Sequence, residues 1–207
     1  MLLFTPELCS GRDPLEILEA ALDSIDVVQV RPKAHGSVAP CAARKAFDWC
    51  VRVIDVLRAR RCDALVIVDD RVDVALALQG RGCAGVHLGR EDCPPGAARD
   101  ALGKDAVIGW STHAASQVVE AIDLDVDYIG FGPVHATATK GYPRGLGSEA
   151  CWVAKLAYPG PLFAIGGIDR TNAGELSVVG RAAVGSAILR ADDPGAAAAE
   201  IRRLLER

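Results

Sequence analysis

Residues 131–147, FGPVHATATKGYPRGLG, follow the apolar run VDYIG without a break and set Thr137, Thr139 and Lys140 among glycines. A hydrophobic core has no use for this mixture. A phosphate uses all of it: hydroxyls, a cation, and backbone N–H groups that glycine allows to come close. Comparable polar groups close the other apolar runs. QVRPK carries Gln29, Arg31 and Lys33, and LVIVDDR carries Asp69 and Asp70. VHLGRED leads to Glu91 and Asp92, and IGWSTH to Ser111 and His113. FAIGG supplies Gly166 and Gly167, and AVGSA supplies Gly185 and Ser186.

These residue types define a limited chemistry. Asp70 and Asp92 suit a hard divalent cation such as Mg2+, which prefers oxygen ligands and keeps several waters. They suit a general acid and base pair as well, and either alone has an ordinary role as a helix N-cap. Arg31, Lys33 and Lys140, with the hydroxyls of Ser111, Thr137 and Thr139, can enclose a diphosphate: Arg as a planar fork, Lys as a compact charge. The glycines at 166, 167 and 185, with Ser186, match a phosphate site built from backbone N–H groups. Gln29 reads the donor and acceptor edge of a heterocycle or satisfies a polar group inside the fold. Two anion sites and a metal together fit transfer of a group from a Mg-bound diphosphate to a second, phosphorylated substrate.

All of these residues must be carried to one place. Eight β-rich runs, at 2–6, 27–31, 64–70, 84–89, 106–111, 126–132, 161–167 and 182–187, alternate with Ala-, Leu- and Arg-rich segments of helical character. In the segment 41–61, Ala46, Trp49, Cys50, Val53, Ile54 and Leu57 recur at helical spacing. Asp13 followed by Pro14 is an N-cap and first-turn pair. Eight such units predict an α/β fold, a single compact (β/α)8 TIM barrel over residues 1–207, with a doubly wound open sheet as the alternative. In a parallel barrel the strand C-termini share one rim, and that rim is where the polar groups fall. Side-chain alternation puts Gln29, Arg31 and Lys33 on one face.

Composition narrows the partners. The net charge is −4 and acids and bases are mixed along all 207 residues, so no basic face, aromatic RNA-binding box or zinc-finger spacing points to nucleic acid. No apolar run approaches the roughly 20 residues that span a bilayer. Seven cysteines, an odd number, form no C-x-x-C pair and read as reduced thiols in a cytoplasmic protein. Small-molecule substrates, no nucleic acid, no membrane, and a possible homo-oligomer are the expected partners.

QVRPK, DDRVDVALALQGRGCAGVHLGRED, IGWSTH, DYIGFGPVHATATK, LFAIGGI and AAVGSAIL occur in this order. Together they resemble the thiamine phosphate synthase / thiazole tautomerase superfamily, and most closely thiamine phosphate synthase. The resemblance covers residues 2–190, and its most specific parts are DDRVDVALALQGRGCAGVHLGRED and GFGPVHATATK. It implies a transferase that couples an aminopyrimidine methyl diphosphate to thiazole phosphate with release of diphosphate. It implies Gln29 at the pyrimidine, Arg31, Lys33, Ser111 and Lys140 at the diphosphate, and Mg2+ on Asp70 and Asp92. Thr137, Thr139, Gly167 and Ser186 would hold the thiazole phosphate. Lys33, Ser111 and Lys140 would then be catalytic, as would His113.

One position departs from the family's pattern. Where these synthases usually carry Asn-Asp, this chain carries Asp69 and Asp70. Asp69 takes a place in the substrate-binding set, yet when ionised it repels a diphosphate that an Asn would bind. Either it turns away, the metal offsets it, or the substrate differs. Arg144 either restores a donor or lies on the surface. The alternatives are a thiazole tautomerase, with His113 as acid and base, and a non-catalytic thiazole-phosphate-binding regulator. His87 reads as a hydrogen-bonded barrel residue, and His35 and His135 as loop residues. The glycines between 132 and 146 suggest a closing lid.

Overall fold

The structure, a computed structural model, describes residues 1–32, 39–137 and 144–207. Eight strands are present: β1 (Leu2–Phe4), β2 (Val27–Val30), β3 (Leu65–Asp69), β4 (Cys83–Leu88), β5 (Val107–Thr112), β6 (Tyr128–Phe131), β7 (Leu162–Ile165) and β8 (Ala182–Ala183). Each pairs in parallel with the next, in sequence order. Leu2 bridges Val184 in parallel, with Leu3 N to Val184 O at 2.8 Å and Val184 N to Met1 O at 3.0 Å. These bonds join the last strand to the first, so the open doubly wound sheet is excluded and the barrel stands.

Helices α1 (Pro14–Ala21), α2 (Ala39–Ala59), α3 (Val72–Leu78), α4 (Pro95–Leu102), α5 (Ala115–Glu120) and α6 (Ser148–Ala157) follow the first six strands. The seventh crossover departs from the expected alternation. It holds a single 3-10 turn, Ala173–Leu176, and two helices, α7 (Ser186–Leu189) and α8 (Pro194–Leu205), follow β8. Asp169 accounts for the short crossover: its Oδ1 accepts from Thr171 N at 2.8 Å and Thr171 Oγ1 at 2.6 Å, closing a turn in place of starting a helix. Asp13 Oδ1 accepts from Leu15 N at 2.8 Å and Asp193 Oδ1 from Ala196 N at 2.9 Å, so α1 and α8 carry their caps just before a proline.

The main apolar layer lies between strands and helices. Val28, Val30, Val68, Val86, Leu88 and Ile108 meet Leu18, Cys50, Val53, Leu57, Leu78 and Leu102 there, all buried. On α2, Ala46, Cys50, Val53, Ile54 and Leu57 are buried as the spacing predicts, while Trp49 is half-buried, edge-on to Phe4 at 5.7 Å with the Arg52 guanidinium 4.1 Å above its ring. Inside the barrel, large and small residues interlock. Tyr128 and His87 fill space that Gly109 leaves open, and Tyr128 sits edge-on to Phe163 at 5.4 Å.

The described cysteines are free thiols, and burial pushes those of Cys9, Cys50, Cys83 and Cys151 up, Cys151 to about 12. They are small packing residues. Among the described residues no helix is long and apolar enough to cross a membrane.

Candidate active site

A cavity of about 610 Å³ opens at the C-terminal rim of the barrel. Ser111, His113, Thr137, Gly167 and Ser186 line it together with Arg31, drawn from the ends of different strands or their following loops. Residues as distant along the chain as Arg31 and Ser186 meet there because every parallel strand ends at the same rim. Leu3, Leu8, Ile165 and Val184 supply apolar wall between the polar groups. Lys33, Thr139 and Lys140 lie outside the described residues, as does His35.

The loop after β6 is fixed at both described ends. Val134 N donates to Ile165 O at 2.8 Å and His135 N to Gly166 O at 3.0 Å, so residues 134 and 135 run along the end of β7. Leu146 N donates to Pro133 O at 2.8 Å and Gly147 N to Val134 O at 2.9 Å, which ties the returning chain to the outgoing one. The glycines of FAIGG serve this contact. Gly166 and Gly167 have φ of 99° and 63°, and a Cβ on Gly167 would come within 2.4 Å of Ala136 O. Their placement therefore sets how closely Pro133, His135 and Ala136 approach the end of β7. Arg144 is exposed and does not line it.

His113 Nδ1 lies 2.6 Å from Gly132 O, so that nitrogen donates its proton to the carbonyl. Its backbone N–H donates to Gln117 Oε1 at 2.7 Å. Both bonds hold the imidazole at the cavity wall. Ser111 is held from beneath: its Oγ is 2.9 Å from His87 Nε2, and His87 Nδ1 is 2.9 Å from the Tyr128 hydroxyl. Tyr128 is in turn hydrogen-bonded to Gln29. This chain crosses the barrel from β2 to β5 and sits below the cavity. Gln29 is thus engaged inside the barrel, 3% exposed, and His87 is the hydrogen-bonded barrel residue expected. Burial pushes the Tyr128 hydroxyl well above its ordinary range, and the bond from Gln29 opposes this. Tyr128→Phe removes one partner from His87 and one from Gln29. It is expected to lower stability by about 1–3 kcal/mol in urea denaturation with an unchanged slope.

Asp69, Asp70 and Asp92 are not among the residues that line the cavity; they connect to it through Arg31, which does line it. Asp69 accepts from Arg31 Nε at 2.6 Å, and its side chain is only 12% exposed. The negative charge of Asp69 is therefore partly offset at the rim, although it still acts on Asp70. Arg31 keeps its terminal nitrogens for an anion in the cavity that it lines. Neither Asp70 nor Asp92 caps a helix. The residue before α3 is Arg71 and the residue before α4 is Pro94, neither with a side-chain cap. Asp92 Oδ2 accepts from Gly89 N at 2.7 Å, closing the turn after β4. Asp70 stands at φ 61°, a left-handed conformation unusual for a non-glycine residue, and its N–H donates to His87 O at 2.8 Å.

Asp70 and Asp92 share a hydrogen bond. The Asp70 carboxyl is pushed up to about 7, by removal from water first, then by the charges of Asp69 and Asp92 and that bond, with Arg31 opposing. Its surface still meets solvent, so the like-charge neighbours are the cause that bears on function. Two oxygen donors pressed together in this way fit a hard divalent cation. Among the described residues no three His, Cys, Asp or Glu groups converge on one point. The pair thus suits Mg2+, which takes one or two carboxylates and fills its remaining positions with water and phosphate oxygens.

The sequence profile of thiamine monophosphate synthase matches residues 1–188. The chain belongs to this family. It is 44% identical over 184 residues to a thiamine-phosphate synthase of Gloeobacter violaceus, covering 87% of this chain and 51% of that one. It is 39% identical over 203 residues to a thiamine-phosphate synthase of Salinispora tropica, covering 94% and 92%. A solved thiamine phosphate pyrophosphorylase from Pyrococcus furiosus superposes with a TM-score of 0.80 at 30% identity, covering 99% of this chain and 94% of that one. The chain spans about half the length of several curated family members it matches, including those of Gloeobacter violaceus and two Synechococcus strains.

Within the family frame, the sequence pointed to Arg31, Ser111, His113, Thr137, Gly166, Gly167, Gly185 and Ser186 of the lining, but to nothing at the end of β1, where Leu3, Thr5 and Leu8 line the cavity. Beyond the polar lining residues Thr5, Asp169 and Thr171, it also gave no sign of two arginines and a supporting tyrosine. Arg170 and Arg190 line the cavity, and Tyr128 supports Ser111 from below. The two arginines lie one residue or more beyond the motifs, among residues whose type alone reads as surface. Tyr128 sits inside the quoted run DYIGFG but reads there as an ordinary strand aromatic.

Proposed function

We propose that this protein joins an aminopyrimidine methyl diphosphate to thiazole phosphate, giving thiamine phosphate and diphosphate. The observation that carries this reading is that Arg31, which lines the cavity with Ser111, Thr137, Gly167 and Ser186, connects it to the neighbouring carboxyls of Asp70 and Asp92. Proton transfer on a thiazole uses no paired metal carboxylates, and a mere binder gains nothing from holding two acids together.

Asp70 and Asp92 would hold Mg2+, which when bound neutralises charge on the leaving diphosphate. Arg31 and Ser111, with Lys33 and Lys140, bind the diphosphate and stabilise it as the carbon–oxygen bond breaks. The pyrimidine methylene becomes a delocalised cation, and the thiazole nitrogen supplies the electron pair that forms the new carbon–nitrogen bond. Thr137, Thr139, Gly167 and Ser186 hold the thiazole phosphate so that this nitrogen faces the cation. The apolar wall of Leu3, Leu8, Ile165 and Val184 limits capture by water. No general base is required. Asp69 acts through Arg31, orienting its guanidinium and tempering its charge. The reading places the protein in the cytoplasm, as one barrel domain acting on small molecules.

Purified protein is incubated with both substrates and Mg2+ and diphosphate is measured. Release that requires both substrates and the metal is the expected result. Thiazole binding without release would leave only a binder, and proton exchange into the thiazole without Mg2+ would make it a tautomerase.

A further inference from the structure

Three arginines line the cavity among the described residues: Arg31, Arg170 and Arg190. Two already face a carboxylate. Arg31 donates to Asp69 at 2.6 Å, and Arg170 lies 3.4 Å from Glu200. The Arg190 guanidinium has no such partner among the described residues. The acid in the described lining, Asp169, accepts from Thr171 through Oδ1 and does not reach Arg190.

The backbone that carries Arg190 is held on both sides. Its N–H donates to Ser186 O at 3.0 Å, so residues 186 and 190 stand one turn apart on the same side of α7. Arg12 donates to Leu189 O at 2.9 Å and to Ala191 O at 2.9 Å, gripping the chain just before and just after residue 190. The backbone that carries this exposed, cavity-lining cation is thus held one turn from Ser186. A phosphate monoester carries close to two negative charges at neutral pH and offers oxygens that match a guanidinium fork. The corresponding alcohol offers neither.

We propose that Arg190 is a specificity-determining residue that selects the phosphorylated form of the second substrate, with Arg12 as the residue that positions it. The inference rests on the reading given under Proposed function, since it takes that substrate to be a phosphate monoester.

The test is calorimetric titration of the full chain with thiazole alcohol phosphate and, separately, with unphosphorylated thiazole alcohol, alongside steady-state kinetics. Arg190→Ala is expected to weaken binding of the phosphorylated ligand about tenfold, with little change for the alcohol or in the KM for the pyrimidine diphosphate. Arg190→Lys recovers part of the loss, and added salt narrows the gap between wild type and Arg190→Ala. Arg12→Ala shifts KM in the same direction with kcat retained. Unchanged affinity in Arg190→Ala, or an equal loss for the alcohol, overturns the proposal. If wild type releases no diphosphate yet its phosphate affinity depends on Arg190, the reaction assigned above fails and this inference stands. If wild type turns over normally and Arg190→Ala binds like it, only this inference fails.

Discussion

Asp92→Asn is expected to reduce Mg2+-dependent diphosphate release at least about a hundredfold while the barrel stays folded. The substitution isolates the charge. Asp92 Oδ2 closes the turn after β4 by accepting from Gly89 N at 2.7 Å, and an Asn oxygen accepts the same bond. What is lost is one of the two anionic donors that would hold the cation. Thermal unfolding supplies a readout independent of turnover. A ligand that binds only the folded state at a hundred times its Kd stabilises by about 2.7 kcal/mol, so saturating Mg2+ raises the melting temperature of wild type. That rise should disappear in Asp92→Asn. In the metal-free protein the variant should melt no lower than wild type, because it removes a charge that crowds Asp70. A variant that turns over normally, or that keeps the full Mg2+-induced rise, would remove Asp92 from the metal site.

Asp69 shows why a sequence motif and a site are different objects. Read along the chain, an acid where the family usually has an amide is a repulsive group aimed at a diphosphate. Its register on β3, however, brings it to Arg31 on the loop after β2, and the 2.6 Å pair converts two charges into a nearly neutral, rigid unit. Sequence spacing gives the strand ends but not which of two neighbouring carboxylates finds a cation. For these two residues that choice follows from a cross-strand contact: Asp69 pairs with Arg31, while Asp70 lies between the charges of Asp69 and Asp92.

The same distinction runs through the fold. The strands were legible because a parallel strand buried on both sides reads as an apolar run, as in LVIV and FAI, and because each such run ended in polar residues. The common direction of parallel barrel strands then placed the rim. The barrel interior was not legible. Nothing local says that the Gly109 of IGWSTH exists to make room for Tyr128, or that the histidine of GVHLG reaches both Tyr128 and Ser111. Those facts depend on strand register across the barrel, to which residue type contributes little. Arg12 and Arg190 were illegible for a related reason: they lie 178 positions apart, and only closure of the barrel by Leu2 and Val184 brings their segments together.

Gly109→Ala tests that interior directly. A Cβ at this position would lie 2.1 Å from Tyr128 Cζ, 2.3 Å from its hydroxyl and 2.5 Å from His87 Nδ1. The tyrosine ring is also packed edge-on against Phe163 at 5.4 Å, so moving it disturbs a second aromatic contact. Strain of this kind is expected to destabilise by about 3 kcal/mol, or a melting temperature lower by roughly 10 °C in a chain of this size. Gly96→Ala is the control. Gly96 lies in α4, and a methyl group added there would meet nothing within 4 Å, so alanine should be neutral or stabilising by up to about 1 kcal/mol. Combining Gly109→Ala with Tyr128→Leu separates steric pressure from a general intolerance of side chains on β5. If the clash with Tyr128 is the cause, the double variant loses less than the sum of the two single losses. Additive losses would mean that Gly109 is required for some other reason, and the interlocking of β5 with β6 would not explain how Ser111 is held at the cavity floor.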